Sequence, residues 1–532
     1  MRVLAKVAEG AQLKAAARPE ISGGGPWLIS TAVMLAAFME VLDTTVVNVS
    51  LTHIAGSLSA TPNEATWALT SYLVANGIVI PISGWLASRF GRKNVLLIST
   101  AGFTVASLLC GIAPSIGLLV IFRIIQGACG GSLQPMSQAV MLEVFPQEQH
   151  GKAMALYGMV VIVAPVMGPV LGGWLTDNFT WRWVFYINLP TGLICVFLLK
   201  MFLHDPPYLR RSSAKIDSWG LATLVIWVAA LQIMLDKGQE EDWFGSRFIV
   251  VLAVAFAVGV VAWVIGELRT KNPVADLCVF GQRTFTSGTV GMAIIGFVLY
   301  GSSVTISIWL QTLLGYPSMQ AGVAMVALGL GCVFSMPAAS VLVARFDPRK
   351  VFAWGVVGFA ISFYRLMGFN LLIGFWDIFW PQFLQGIGMG LMAVPLMVVT
   401  MAYIPKEKMG NATGLFNMTR NIGGGVGISL VSTMLTRMGQ EHTNYLIANV
   451  TPYSPLTQRL VGLGRGVFAG SGPVWADQQA YATIFGLVQQ QATMVALVRI
   501  FQYLGALALI MIPLIAATKR PPKAQKSEPI LH

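Results

Sequence analysis

The sequence predicts an all-α membrane protein of fourteen transmembrane helices: two parallel repeats of a six-helix bundle with two extra helices between them, and both termini cytoplasmic. Three observations predict it. Of the 532 residues 55% are hydrophobic and 11% charged, and the mean hydropathy is +0.71, whereas a soluble domain carries about 25% charge. The apolar residues gather in blocks of about 20, the length a helix needs to cross the hydrocarbon core of a bilayer. Stretches of the first half also return, in the same order, in the second.

Residues 1–26 read as a cytoplasmic tail, because Arg2, Lys6, Lys14 and Arg18 flank no compact apolar core or small-residue cleavage site. Residues 27–203 form the first bundle, with spans 27–51, 66–87, 94–113, 116–141, 152–175 and 183–203. A linker, 204–284, carries the two extra spans 217–235 and 248–268. Residues 285–516 form the second bundle, with spans 285–312, 320–344, 351–370, 376–403, 411–436 and 493–516 and an outer loop at about 437–491. Residues 517–532 are a second cytoplasmic tail.

The basic residues orient these spans. The net charge of +12 would suggest nucleic acid in a soluble protein, but here the excess lies in short loops. Twenty-four of the 34 Lys and Arg residues fall on the side of the N-terminus, six on the other side and four within spans. That asymmetry places both termini in the cytoplasm and predicts no nucleic-acid partner.

The repeat is explicit. PQEQHGKAMALYGM from Pro146 returns as PKEKMGNATGLFNM from Pro405, and FRIIQGACGG from Phe122 as PQFLQGIGMG, both at an offset of 259. PISGWLASRFGRK from Pro81 returns as PAASVLVARFDPRK at an offset of 256. Each repeated loop is cytoplasmic in both copies, so the halves are parallel, the architecture of a secondary transporter.

Charges inside the spans mark the candidate chemistry. Glu40 and Asp43 stand three residues apart on one face of the first span. An intramembrane acid is costly enough to be functional by default, with a structural ion pair as the alternative. Arg123 lies about 10 Å deep at 1.5 Å per residue, a depth comparable with that of Asp43. The two can pair, either as a proton-sensitive contact or as a fixed packing bridge. No H-E-x-x-H and no G-x-x-x-x-G-K-[ST] is present, so neither a membrane metalloenzyme nor an ATP-driven pump is expected. The five cysteines, scattered through apolar segments, suggest no disulfide or metal framework.

GWLASRFGRK (Gly84–Lys93), LDTTVVNVSL with Asp43, RIIQGACGG from Arg123, APVMGPVLGGW (Ala164–Trp174) and FNMTRNIGGGVG (Phe416–Gly427) carry a resemblance. On these motifs the sequence resembles the major facilitator superfamily, and within it the fourteen-helix drug:proton antiporters of the EmrB-like multidrug exporter type. The resemblance implies the major facilitator fold and proton coupling through Asp43, Glu40 and Arg123. It implies gating through Gly84, Arg89, Gly91, Arg92 and Lys93, although Ser88 stands where the motif's usual Asp belongs. Pro165, Gly168, Pro169, Gly172 and Gly173 match the bending and sliding fifth-helix motif, while Asn48, Gln126, Gln385, Asn417 and Arg420 are cavity candidates. By resemblance the chain is a multi-pass protein of the bacterial inner membrane. It exports hydrophobic or cationic drugs by alternating access, confers antibiotic resistance, and uses the proton gradient and no cofactor. An EmrA-like periplasmic adaptor and a TolC-like outer-membrane channel are the expected partners, with the outer loop at the adaptor contact or as a solvent-exposed cap. A proton-coupled carrier of one specific metabolite and a non-transporting membrane sensor or scaffold are the other readings.

Overall fold

A computed structural model describes residues 25–205, 217–270, 273–451, 453–468, 470, 473–516 and 518. Most of the predicted tails and part of the linker therefore lie outside the described residues. All regular structure among the described residues is helical.

The helices are α1 Pro26–Val49, α2 Leu51–Ser57, α3 Pro62–Phe90, α4 Arg92–Gly111, α5 Ile116–Gly130, α6 Leu133–Val144, α7 His150–Asn178, α8 Trp183–Tyr186 and α9 Asn188–Phe202. They continue with α10 Ser218–Lys237, α11 Arg247–Arg269, α12 Arg283–Ile308, α13 Ser318–Arg345, α14 Pro348–Leu366 and α15 Phe375–Met401. The last four are α16 Met409–Ile447, α17 Pro455–Val467, α18 Pro473–Leu509 and α19 Met511–Ala516. Local chemistry sets several starts. Thr61 and Glu64 form a capping box at α3, and Ser115, Asp217 and Asp347 accept from the first-turn N–H groups of α5, α10 and α14.

Among the described residues twelve helices are long and apolar enough to cross a membrane. The segments at predicted spans 351–370 and 411–436, α14 and α16, are not among them. The reason is composition: α14 carries Arg349, Lys350 and Arg365, and α16 is diluted by Asn, Thr, Gly and Arg420. Predicted span four is two consecutive helices, broken at Gly131–Ser132.

The predicted outer loop is a correction of a different kind, because most of it is helix. α16 runs for 39 residues and α18 for 37, close to 60 Å and 55 Å by the helical rise, roughly twice the bilayer core. The C-terminal end of α16 and the N-terminal end of α18 continue past the predicted spans, and α17, between them in the chain, packs on α18.

α1 packs on α6, α7 and α9, and α3 on α5. Separately, α12 packs on α16, α13 on α15, and α14 on α15 and α18. The two groups meet where α7 lies along α13 and α3 along α16. These seams carry the sequence repeat into space. Gly84 of α3 abuts Gly410 of α16, and Ser340 of α13, 256 positions after Gly84, faces Gly151 of α7, 259 positions before Gly410. A Cβ on Gly410 would lie 3.5 Å from Gly84 Cα, and one on Gly151 3.5 Å from the Ser340 carbonyl oxygen. Small residues at these crossings let backbones touch where no hydrophobic force drives helices together.

Of the inserted helices, α10 sits on the α3–α16 seam, packing on both, and α11 packs on α10. Lys237 Nζ donates to Thr66 Oγ1 of α3 at 2.7 Å, and Trp243 Nε1 donates to Thr433 Oγ1 of α16 at 3.0 Å.

Candidate functional site

The interior is organised around two carboxylates on α1. Asp43 accepts from Arg123 Nη1 at 2.5 Å, from Asn188 Nδ2 at 2.8 Å and from Gln126 Nε2 at 3.0 Å. Arg123 comes close because Gly127, one turn later, lets α5 lie against the Tyr72 backbone of α3, where a Cβ would collide. The guanidinium then rests on the Tyr72 ring, 4.1 Å from its centroid, and Nε donates to the Ala68 carbonyl at 2.9 Å. Both side chains of the pair are wholly buried. A buried pair survives when hydrogen bonds satisfy its remaining atoms, and here Arg123 Nη2 alone lacks a partner.

Glu40, one turn earlier and 3% exposed, faces a different set. Its Oε1 accepts from Asn76 Nδ2 at 2.9 Å and from the Tyr72 hydroxyl at 3.5 Å, and its Oε2 from Gln134 Nε2 of α6. The same Gln134 amide accepts from Arg420 Nη2 of α16 through Oε1, while the Tyr157 hydroxyl of α7 donates to the Gln134 backbone carbonyl at 3.1 Å. Tyr72 thus touches both acid sites, by its ring at Arg123 and its hydroxyl at Glu40.

The sequence candidates divide accordingly. Asp43, Arg123 and Gln126 form one cluster; Glu40 and Arg420 join another through Gln134. Asn417 lies beside the second, donating to Gln138 Oε1 at 2.6 Å. Gln385 is buried elsewhere, bound to Ser302 Oγ at 2.9 Å, and Asn48 is exposed near the end of α1. Asn76, Gln134, Tyr157 and Asn188 were not singled out in the sequence. An uncharged polar residue inside an apolar span is the signal that could have found them.

At the basic end Gly84 meets Asn411, whose backbone nitrogen would lie 2.5 Å from a Cβ there. Arg89 occupies the last turn of α3, and Gly91 takes φ 84°, a left-handed value that favours glycine. Arg92 pairs with Glu143 of α6 and reaches the Lys406 carbonyl at 3.4 Å. Ser88 turns back on its own helix, donating to the Trp85 carbonyl at 2.8 Å. A carboxylate arrives from elsewhere: Asp205, just past α9, accepts from the Lys93 backbone N–H at 2.9 Å, at the N-terminus of α4. The linker closes on the other side, where Lys408 Nζ donates to Asp276 Oδ2 at 2.7 Å and Asn411 exchanges two hydrogen bonds with the Asp276 backbone. Burial opposes the change, but Lys408 and the Cys278 N–H hold the Asp276 carboxyl below its usual range, and Asp276 raises Lys408.

In α7 Gly168 faces Thr45 and Gly172 faces the Val46 backbone, so this helix rides directly on α1 beside Asp43. Pro165 and Pro169 interrupt its hydrogen bonding. A Cβ on Gly173 would meet nothing within 4 Å.

The family model of the Major Facilitator Superfamily matches residues 33–428. The chain belongs to that superfamily. It is 40% identical over 444 residues to the multidrug export protein EmrB of Haemophilus influenzae, covering 83% of this chain and 86% of that one. To EmrB of Escherichia coli it is 36% identical over 499 residues, covering 93% and 95%. The fatty acid resistance protein FarB of Neisseria gonorrhoeae is 36% identical over 507 residues, covering 94% and 98%. Among solved structures, the proton:xylose symporter XylE shares the fold with a TM-score of 0.56 at 14% identity, covering 92% of this chain and 96% of that one. This is an EmrB-like multi-pass membrane transporter, and not an enzyme.

Proposed function

We propose that the chain is a proton-coupled antiporter that exports hydrophobic or cationic drugs across the bacterial inner membrane by alternating access. Fourteen helices cross the membrane, α14 and α16 included, as two six-helix bundles with α10 and α11 inserted between them. The basic end and both termini face the cytoplasm. The observation that carries the reading is the pair of buried carboxylates on α1, one ion-paired inside the N-terminal helices and the other linked through Gln134 to a cation of the C-terminal ones. A proton on either acid changes which contacts hold, and so which conformation is favoured. The names of relatives, multidrug export and fatty acid resistance, support an efflux role. The outer helical extension is the contact for a periplasmic adaptor leading to an outer-membrane channel, since α17 leaves Leu456, Leu463 and Val467 exposed beyond the predicted spans.

Proteoliposomes test the coupling. With an acidic interior as the sole gradient, a cationic dye accumulates inside, and an ionophore that collapses the gradient stops it. Dye movement indifferent to the gradient would overturn the coupling, and a single metabolite moving in place of all dyes would favour the carrier reading.

A further inference from the structure

We propose that the side-chain amide of Gln134 is the switch by which a proton on Glu40 releases Arg420, making Gln134 the positioning residue that passes proton binding across the seam between the two groups of helices. The proposal rests on the reading of Glu40 as a proton-binding acid.

The hydrogen-bonding capacity of each group fixes the arrangement. A carboxylate only accepts hydrogen bonds and a guanidinium only donates them, whereas a primary amide has one end of each kind. Between Glu40 and Arg420 the amide therefore has one satisfied orientation, NH2 to the carboxylate and oxygen to the guanidinium, and that is the orientation present. The Gln134 backbone is fixed by the Tyr157 hydroxyl, so the amide adjusts by side-chain rotation and not by moving its helix.

Glu40 Oε1 already accepts from Asn76 and Tyr72, which leaves Oε2 to take the proton. The new O–H donor then faces the NH2 donor of Gln134. Turning the amide over gives the proton an acceptor but sets NH2 against the guanidinium, donor against donor. Arg420 has little else to hold it, since its Nε has no partner and it belongs to no ion pair among the described residues. Leaving a buried donor unsatisfied is the costly outcome, so α16 moves. The neighbouring rung, Asn417 to Gln138, touches no acid and does not respond to the proton.

The other titratable groups around Glu40 are Tyr72 on α3, Tyr157 on α7, Tyr300 on α12 beyond Tyr157, and Asp43 with its partner Arg123. Glu143, farther along α6, is held by Arg92. None of these sits between Glu40 and α16 as Gln134 does. A proton shifts a conformational equilibrium only by binding one state more tightly, and the broken Gln134–Arg420 contact supplies that difference.

The test reads the distance between spin labels at Phe90→Cys and Phe346→Cys, two exposed positions at the basic ends of α3 and α13, in the full chain with its native cysteines replaced. The proton is the sole probe, varied by buffer in lipid nanodiscs. The parent shifts between two distances from alkaline to acidic buffer. Gln134→Met, close in shape but lacking the amide, loses the shift, and so does Glu40→Gln. A shift retained in Gln134→Met and lost in Glu40→Gln overturns the switch and leaves the proton site standing. A shift retained in Glu40→Gln, or absent from the parent, overturns the reading on which the switch rests. Should Gln134→Met fail to fold, Gln134→Asn, one methylene too short to span both partners, takes its place with the same expected outcomes.

Discussion

Arg123 Nη1 stands 2.5 Å from Asp43 Oδ2 with neither side chain exposed, although 80 positions separate them in the chain. Each charge is tolerable in the membrane because of the other, and Gln126, Asn188 and the Ala68 carbonyl satisfy most of what remains.

Breaking this pair from one side leaves an uncompensated buried charge, which costs about 3–5 kcal/mol. Asp43→Asn and Arg123→Gln each lower the melting temperature in detergent, and the double variant recovers part of the loss. Strictly additive effects in the double-mutant cycle would mean that the two charges do not support each other in the folded protein.

The glycines separate contact from mere presence of a motif. Gly84→Val and Gly168→Val push a side chain into Asn411 and Thr45 and abolish drug efflux, whereas Gly173→Ala, entering open space, leaves it at the parent level. Efflux from loaded cells compares the three, with surface expression as control. Equal loss at Gly173 would show that the motif acts by something other than these contacts.

The Asp276–Lys408 clamp is insensitive to pH near neutrality. The depressed Asp276 contributes above its unfolded pKa and loses that contribution only as pH falls through its folded value; the raised Lys408 contributes below its unfolded pKa and loses it only as pH rises through its folded value. Both limits lie far from neutral pH. Asp276→Asn therefore changes transport rate by one factor across the neutral range, while Glu40→Gln changes the shape of the pH profile. A displaced pH optimum in Asp276→Asn would contradict this.

The outer extension is separable from the transport core, because α17 packs on α18 beyond the predicted spans. Replacing residues 448–472 with a short flexible linker leaves gradient-driven dye uptake in proteoliposomes intact and abolishes pull-down of the periplasmic adaptor. Retained pull-down would sink the adaptor assignment.

Much of this was legible in the sequence, for identifiable reasons. Charges inside apolar spans are rare, so Glu40, Asp43, Arg123 and Arg420 stood out, and helical rise alone put Asp43 and Arg123 at one depth. The repeat gave two parallel halves, and the contacts Gly84–Gly410 and Ser340–Gly151 fall at positions related by its offsets of 256 and 259. Gln134 was silent because an uncharged amide among Leu, Pro and Met reads as a tolerated polar residue; its role arises from what stands on either side of it in space. Asp205 was hidden differently, since the Lys93 N–H it caps lies 112 positions before it and Ser88 drew attention to a missing acid nearby. The outer segment was read as a loop because polar residues break the apolar pattern, and beyond the bilayer a helix needs no apolar pattern.

Proton coupling through the acids of α1 is the heart of the proposed function. Its most direct test is substrate-induced proton movement in energised inside-out vesicles, comparing the parent with Asp43→Asn and Glu40→Gln across several hydrophobic dyes. Dye-dependent proton efflux in the parent, lost in the variants despite folded protein, is the predicted result; undiminished efflux in both variants would contradict it.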